Sequence, residues 1–171
     1  MPQLQGSCHC GAVSFSVFSR AAVPFMRCYC SICRKTAGGG GYAINLSGDF
    51  ATLKVTGEEH VAVYRARGTA GAPEAVSTAR RHFCKHCGSA LYLYDPTWPD
   101  LVHPFASAID TPLPPAPENV FIMLESKPAW VTLPGNAKRT NCYAEYPEES
   151  LADWHRAQGL YDDADSGNAP T

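Results

Sequence analysis

The chain has 171 residues, of which 45% are hydrophobic and 18% are charged. This composition is typical of a globular protein rather than a disordered one, and the length suffices for one domain with its own core. The formal net charge of −2 gives no electrostatic reason to expect nucleic acid as a partner. The 14 glycines and 14 prolines favour many short strands joined by loops over long helices.

The N-terminal residues 1–6 lack the basic start and the apolar stretch of a signal peptide. No segment approaches the ~18 apolar residues that are needed to span a bilayer. We therefore expect a cytoplasmic protein that does not enter membranes. In that reducing compartment, cysteines are more often metal ligands or catalysts than disulfide partners.

The hydrophobic pattern predicts a mainly β chain. Apolar and small polar residues alternate over 12–18, which is typical of a half-buried strand. Irregular structure is expected at 24–35, where three cysteines lie, at the glycine run 38–41 and at the loop 67–74. Further strands are predicted at 42–46, 61–64, 76–83, 90–94, 102–108 and 120–124.

The C-terminal part differs, since residues 147–150 read as the start of a helix with proline and acidic residues in its first turn. Leu151, Trp154 and Gln158 would share one face of that helix, and Gly159 is a natural stop. Residues 161–171 are polar and expected to fray. We therefore predict a single domain over 1–160.

Seven of the eight cysteines stand one or two residues from another cysteine. Such gaps allow two sulfur atoms to converge on one ion at about 2.3 Å, the zinc–sulfur distance, whereas a disulfide inside each pair would be strained. The spacing and the expected compartment together favour metal binding over disulfides. The groups are Cys8 and Cys10; Cys28, Cys30 and Cys33; and Cys84 and Cys87, with Cys142 alone.

Two of these groups end in a cysteine followed by glycine, Gly11 after Cys10 and Gly88 after Cys87. Glycine permits a turn with positive φ that aims backbone N–H groups at the thiolates. Four protein ligands around one tetrahedral zinc leave no position for substrate, so the role of such a site is structural. The predicted structural set is Cys8, Cys10, Cys84 and Cys87.

The remaining group, Cys28, Cys30 and Cys33, is not followed by glycine. Three ligands leave one zinc position open, as in catalytic or substrate-binding sites. A fourth protein ligand would make this site structural as well. The candidates for that fourth ligand are Cys142, His9, His82 and His86. Of these, we expect Cys142 to be a free cysteine and the histidines not to be ligands.

The cysteine pattern resembles that of the glutathione-dependent formaldehyde-activating enzymes, or S-(hydroxymethyl)glutathione synthases, whose wider group includes centromere protein V. The match is carried by residues 6–11, 30–35 and 83–88. The segment 145–151, with Trp154 and His155, is also similar to tails in this family. The resemblance covers roughly residues 5–160 and includes all seven ligand positions.

The resemblance implies an Mss4-like fold, which is a β-sandwich or open barrel of short antiparallel strands pinned by zinc, with a short C-terminal helix. It implies a zinc-dependent carbon–sulfur lyase or synthase that adds glutathione to formaldehyde. It also implies the same division of ligands. Four cysteines would be structural, and three would lie at the active site: Cys28, Cys30 and Cys33.

A zinc ion held by three thiolates suits this chemistry, because it would deprotonate a thiol in its open position and hold it beside a carbonyl group. Glutathione, the cosubstrate, carries two carboxylates. Candidate partners for them are Arg34, Lys35 and the backbone N–H groups of the glycine run, Gly39 and Gly40 in particular. A solvated loop and a flexible hinge are the alternative interpretations of these residues.

Two other functions compete with the enzyme. Three thiolates leave the zinc site with a net charge of −1, so the metal is a weak Lewis acid, and the chain could carry glutathione instead of acting on it. A non-enzymatic zinc module that binds small thiols or a protein partner needs only the four-cysteine set, so the complete three-cysteine set favours the enzyme. The sequence leaves open which aldehyde is used and whether the chain forms a homodimer.

Overall fold

A computed structural model of the chain describes residues 1–69 and 72–163. This part of the chain forms short strands and two short α-helices, α1 (Ser31–Thr36) and α2 (Leu151–Ala157), joined by loops and 3₁₀ turns. Neither described helix has the length and hydropathy needed to cross a membrane. The strands are β1 (Gln3–Ser7), β2 (Ser14–Phe18), β3 (Met26–Cys28), β4 (Ala43–Ile44), β5 (Gly48–Asp49), β6 (Lys54–Thr56), β7 (Val61–Tyr64), β8 (Arg67–Thr69), β9 (Ala72–Val76), β10 (Arg80–Cys84), β11 (Ala90–Tyr94), β12 (Leu101–Pro104) and β13 (Val120–Ile122).

The strands form four small sheets in the described part of the chain. The largest has the order β5-β12-β11-β10-β7, and a second has the order β1-β2-β6; both are antiparallel. In the third sheet, β3 pairs antiparallel with β4 and parallel with β13. Strands β8 and β9 form a separate hairpin. The prediction of a mainly β chain of short antiparallel strands is therefore confirmed.

The main core lies where the first two sheets meet. Alternation in β1 and β2 buries Leu4, Phe15 and Val17. The pattern over 12–18 predicted the burial in β2, whereas no strand was predicted at β1. The same cluster of buried residues includes Cys8 and Cys84. The core therefore continues into the two cysteine turns, so that a metal bound there would fix β1 to the β10–β11 hairpin.

A second core holds α2 against the sheet of β3, β4 and β13. Trp154 is buried and stacks on Phe25 with ring centroids 3.6 Å apart. The helix starts where Ser150 Oγ accepts a hydrogen bond from the Asp153 N–H (3.1 Å). Gly159, just after the helix, has φ +66°. The predicted helix and its stop are confirmed, but its predicted start at residues 147–150 was wrong, because the proline and both glutamates lie before the first turn.

Two segments expected to be irregular contain regular structure. Residues 24–35 hold β3 and α1: β3 pairs with β13, almost 100 residues away, and the Cys30 Sγ accepts from the Cys33 N–H (3.3 Å) to cap α1. Residues 67–74 were expected to form a loop but hold β8 and the start of β9. That prediction was wrong because this hairpin is formed by backbone pairing, and its sequence shows no alternation of apolar residues.

The predicted terminal segment starts at residue 161, and its first residues contact the N-terminal part of the chain. The Asp162 carboxylate pairs with the N-terminal ammonium group at 2.6 Å. The Asp162 backbone N–H also donates to the Arg20 carbonyl oxygen at 3.0 Å. Residues 164–171 lie outside the described residues, so fraying there remains a prediction.

His155 is buried in the second core with both ring nitrogens engaged. The Val23 N–H donates to Nε2 (3.1 Å), so the ring proton lies on Nδ1, which donates to the Leu151 carbonyl oxygen (2.7 Å). Burial lowers the pKa of His155 below the usual 6.5. Because the unfolded chain then takes up the proton first, this contribution to stability is complete above about pH 6.5 and is lost as the pH falls below it.

We therefore expect the unfolding free energy of His155→Gln to depend less steeply on pH than that of the wild type between about pH 6.5 and 5. The difference in slope should be at most about 1.4 kcal/mol per pH unit, the value for one proton. Urea titrations of both proteins at several pH values measure it. Protonation of the cysteines affects both proteins alike, so equal slopes would show that His155 does not contribute.

Candidate metal centres

The first candidate centre is built by two similar turns. In one, Gly11 has φ +77° and its N–H donates to the Cys8 carbonyl oxygen (3.0 Å). In the other, Gly88 has φ +76° and its N–H donates to the Cys84 carbonyl oxygen (2.8 Å). A left-handed conformation costs glycine little, which explains the glycine after each second cysteine. The His9 N–H, which donates to Ser89 Oγ (3.1 Å), links the two turns.

The four sulfur atoms of these turns converge. The Sγ atom of Cys10 lies 3.5 Å from that of Cys8 and 3.7 Å from that of Cys84. All four Sγ atoms lie within 4.8 Å of one another. Four sulfurs at 2.3 Å from a tetrahedral zinc would be about 3.8 Å apart, so the spacing suits zinc. The structure thus brings together the predicted structural set Cys8, Cys10, Cys84 and Cys87 as a group that can hold a metal ion.

Hydrogen bonds favour the thiolate form of two cysteines in this set, Cys8 and Cys87. The Val13 N–H donates to Cys8 Sγ (3.2 Å). Hydrogen bonds from Ser89 lower the pKa of Cys87 to about 5. Both donors stabilise a negatively charged sulfur, which is the form that binds metal.

The second candidate centre lies where β3 meets α1. Cys28 ends β3, Cys30 caps α1, and Cys33 lies in the first turn of the helix. The three Sγ atoms lie within 4.8 Å of one another and can hold a metal ion. Cys28 and Cys33 are buried, and Cys30 is partly exposed. Hydrogen bonds from Cys28 and Cys33 hold the pKa of Cys30 well below its usual value.

No fourth protein ligand completes this second set among the described cysteines, histidines, aspartates and glutamates. Cys142 lies in another cluster, with Tyr29 and Phe121, and its thiol donates to the Lys138 carbonyl oxygen (3.4 Å). The three candidate histidines belong to neither cysteine group. A tetrahedral ion held by these three sulfurs alone would have one ligand position left for another molecule.

Asn45 and Arg81 donate to the second centre, and the sequence did not identify either. Asn45 Nδ2 lies 3.9 Å and Arg81 Nη2 3.7 Å from Cys33 Sγ. Neighbouring residues of a strand face opposite sides, so that Arg80 is exposed while Arg81 turns inward.

The three-cysteine set lines a cavity of about 540 Å³, within the range of small-molecule sites. Asn45 Oδ1 and Arg81 Nη1 are buried and have no hydrogen-bond partner in the described part of the chain. Buried polar atoms are normally paired, so these two are available to a ligand. Other residues that line the cavity are Met26, Leu93, Asp95, Trp98, His103, Ile122, Met123, Tyr146 and Leu151.

The residues predicted to bind glutathione lie elsewhere. Arg34, Lys35 and Gly39 line a different cavity, of about 720 Å³, beside Cys8 and Gly88. Gly40 lines neither of these two cavities. Arg34 follows Cys33 directly on α1, and one residue along a helix rotates the side chain by about 100°. Contacts of these four residues with glutathione therefore remain a prediction, and the structure places none of them in the cavity of the three cysteines.

Comparison with known proteins gives the following matches. The model of a family described as "Glutathione-dependent formaldehyde-activating enzyme" matches residues 3–123. A protein of Halomonas elongata named "Putative glutathione-dependent formaldehyde-activating enzyme" is 58% identical over 157 residues, which is 92% of this chain and 97% of that protein. A crystal structure of a Rhodobacter sphaeroides protein matches with a TM-score of 0.49 and 27% identity, over 64% of this chain and 91% of that one.

Proposed function

The chain belongs to the glutathione-dependent formaldehyde-activating enzyme family, and we propose that it joins the thiol of glutathione to formaldehyde in the cytoplasm. The sulfur bonds to the carbonyl carbon, the carbonyl π bond breaks, and the proton lost from the thiol is matched by one gained at the new hydroxyl oxygen. The product is S-(hydroxymethyl)glutathione. The reverse step cleaves the carbon–sulfur bond and is a lyase reaction.

One observation carries this proposal: three convergent thiols lie in the wall of a cavity that also contains unpaired buried polar atoms. The four-cysteine set supplies all the ligands of a tetrahedral ion itself and so needs no ligand from outside. A purely structural zinc module would have no use for the three-cysteine set. The presence of all three cysteines therefore supports a site that binds a small thiol.

In this proposal each cysteine set holds one zinc ion. The first zinc is structural. When bound at the second set, zinc supplies an open position that lowers the pKa of an incoming thiol, here that of glutathione. The structural ligands are Cys8, Cys10, Cys84 and Cys87, and the ligands at the reaction site are Cys28, Cys30 and Cys33.

Arg81 has two roles at this site, and Asn45 shares the first of them. Their N–H donors at Cys33 Sγ offset the excess negative charge of three thiolates. Arg81 Nη1, buried and unpaired, donates to the aldehyde oxygen on which negative charge develops as the carbon–sulfur bond forms. Because both roles use the same guanidinium group, the thiolates and the aldehyde oxygen are held close together.

His103 is the proton acceptor in the cavity. Its Nδ1–H donates to the Leu46 carbonyl oxygen (3.0 Å), which leaves the lone pair on Nε2. Burial lowers the pKa of His103 below the usual 6.5, so the ring is neutral at pH 7 and can take the proton that leaves the thiol.

The test measures the rate at which glutathione and its hydroxymethyl adduct interconvert at equilibrium, by NMR exchange spectroscopy with and without protein. Thiols add to formaldehyde without help, so the quantity of interest is the acceleration over the uncatalysed exchange. We expect acceleration that is proportional to zinc-loaded protein. Glutathione binding without any acceleration would show a carrier and would exclude the proposed enzyme.

Replacing Arg81 by methionine should slow this exchange by about a hundredfold, since the loss of one such donor typically costs that much or more. Arg80→Met is the matched control, because Arg80 is on the same strand but exposed. The control should keep wild-type exchange and zinc content. Equal effects of the two substitutions would show that Arg81 has no specific role at the site.

A further inference from the structure

Part of the cavity wall beside the three cysteines is apolar, although Arg81 and Asn45 also reach this site. In the parallel pairing of β13 with β3, Ile122 stands opposite Cys28, and Met123 follows it. Ile122 belongs to the same buried cluster as Cys28 and Cys33, and Met26 and Met123 pack against that cluster. All of these residues line the cavity. A group carried by a thiol sulfur at this site therefore has apolar side chains to pack against.

Met123 has an unusual backbone conformation. Its φ of 60° and ψ of 37° are left-handed, and no other non-glycine residue in the described part of the chain has a positive φ. The conformation is fixed by two hydrogen bonds: the Met123 N–H donates to the Glu145 carbonyl oxygen (2.9 Å), and the Met123 carbonyl oxygen accepts from the Ser126 N–H (3.1 Å). Glycine would adopt it without strain, so a methionine held there indicates a use for the side chain.

A polar cavity adjoins the cavity of the three cysteines. A second cavity, of about 690 Å³, shares Trp98, His103, Ser150 and Leu151 with the first. It is also lined by polar and charged side chains, Ser47, Asp49 and Asp100 among them. A peptide that extends from the cysteines towards this second cavity leaves the apolar wall free for the group on its sulfur.

A hydroxymethyl group, with one carbon and one hydroxyl, cannot use such a wall. We propose that the site also takes glutathione adducts of larger, apolar aldehydes, with alkyl chains of about four carbons, and that Met123 selects them by packing against the chain. This inference rests on the proposed function. The chemistry is unchanged: the thiol sulfur bonds to the carbonyl carbon, a proton ends on the oxygen, and nothing is oxidised or reduced.

The first test needs no catalysis. Two stable thioethers, S-pentylglutathione and S-methylglutathione, differ only in the alkyl group and are compared by calorimetric titration of the full chain. We expect the pentyl compound to bind at least about tenfold more tightly, since burying even one additional methylene group can contribute that much. Equal binding of both compounds, or no binding of either, would overturn the inference.

Met123→Asn should abolish the preference for the pentyl compound, because asparagine tolerates the left-handed conformation but is polar. Met123→Gly, which removes strain and side chain together, should do the same and guards against misfolding of the first variant. Val63→Asn is the control, on an exposed strand position that lines none of these cavities. A preference that survives both Met123 variants would overturn the role of Met123.

Exchange spectroscopy with the formaldehyde and pentanal adducts separates the two proposals. Faster catalysed cleavage of the pentanal adduct supports both. Turnover of the formaldehyde adduct alone would leave the proposed function standing and overturn the inference. Pentyl-selective binding without turnover of either adduct would overturn the enzyme and with it the inferred substrates.

Discussion

Replacing Cys84 by serine is expected to leave no stably folded protein. Cys84 has 0% relative exposure and belongs both to the main core and to the four-cysteine set. Structural zinc typically contributes roughly 10–16 kcal/mol of binding free energy that is also folding free energy. A domain of this size is typically stable by only about 5–15 kcal/mol. Loss of the proposed zinc ion from this set would therefore remove about as much free energy as the fold has.

The expected result is a chain whose circular dichroism shows no cooperative thermal transition and which is recovered mainly as aggregate. Cys142→Ser is the matched control, because Cys142 is outside both cysteine groups. It should melt like the wild type and keep two zinc ions per chain. If Cys84→Ser melted cooperatively near the wild-type temperature, the four-cysteine set would not be the support of this fold.

The grouping of the cysteines was predictable from the sequence because metal geometry is local. Gaps of one or two residues bring two sulfurs together, and the glycines Gly11 and Gly88 give the two turns their left-handed residue. Only the pairing of the two turns with each other is non-local. That step was inferred from the glycine that follows the second cysteine in each turn.

The surroundings of the second centre could not be read in this way. Asn45 reaches Cys33 from the segment that follows β4, and Arg81 reaches it from β10. Only tertiary packing brings these elements to α1. Arg81 left a weak signal, since one of two neighbouring arginines on a strand must face inward. The prediction that Arg34 and Lys35 bind the carboxylates of glutathione used their proximity in sequence to the three cysteines, but successive residues of a helix point in different directions.

The same reason explains the errors in the fold. Strand β3 has three residues and exists through its pairing with β13, so no local alternation announces it. Helix α1 has six residues, and its cap is a cysteine sulfur, a group outside the usual set of capping side chains. Short elements that depend on distant partners fall below what hydrophobic periodicity can detect.

Replacing Cys30 by serine should remove the second zinc ion and leave the fold intact. Serine lacks the thiolate that binds the ion, but it is a good helix cap, and Cys30 Sγ also caps α1. The four-cysteine set is untouched. We expect elemental analysis to find one zinc per chain instead of two, with a thermal transition that stays cooperative because the four-cysteine set is intact. Catalysed exchange between glutathione and its formaldehyde adduct should fall by at least about a hundredfold, more than the loss of a group that only supports a ligand.

The variant Cys30→Ala separates the two roles of this residue. Alanine loses both the ligand and the cap, so Cys30→Ala should be less stable than Cys30→Ser by about 1 kcal/mol. Cys142→Ser again serves as the control, with two zinc ions and wild-type exchange. Two zinc ions in Cys30→Ser, together with full exchange activity, would mean that the three-cysteine set is not where the thiol reacts. A single zinc in the wild type would exclude the metal from the reaction and leave Cys28, Cys30 and Cys33 as free thiols in the wall of the cavity.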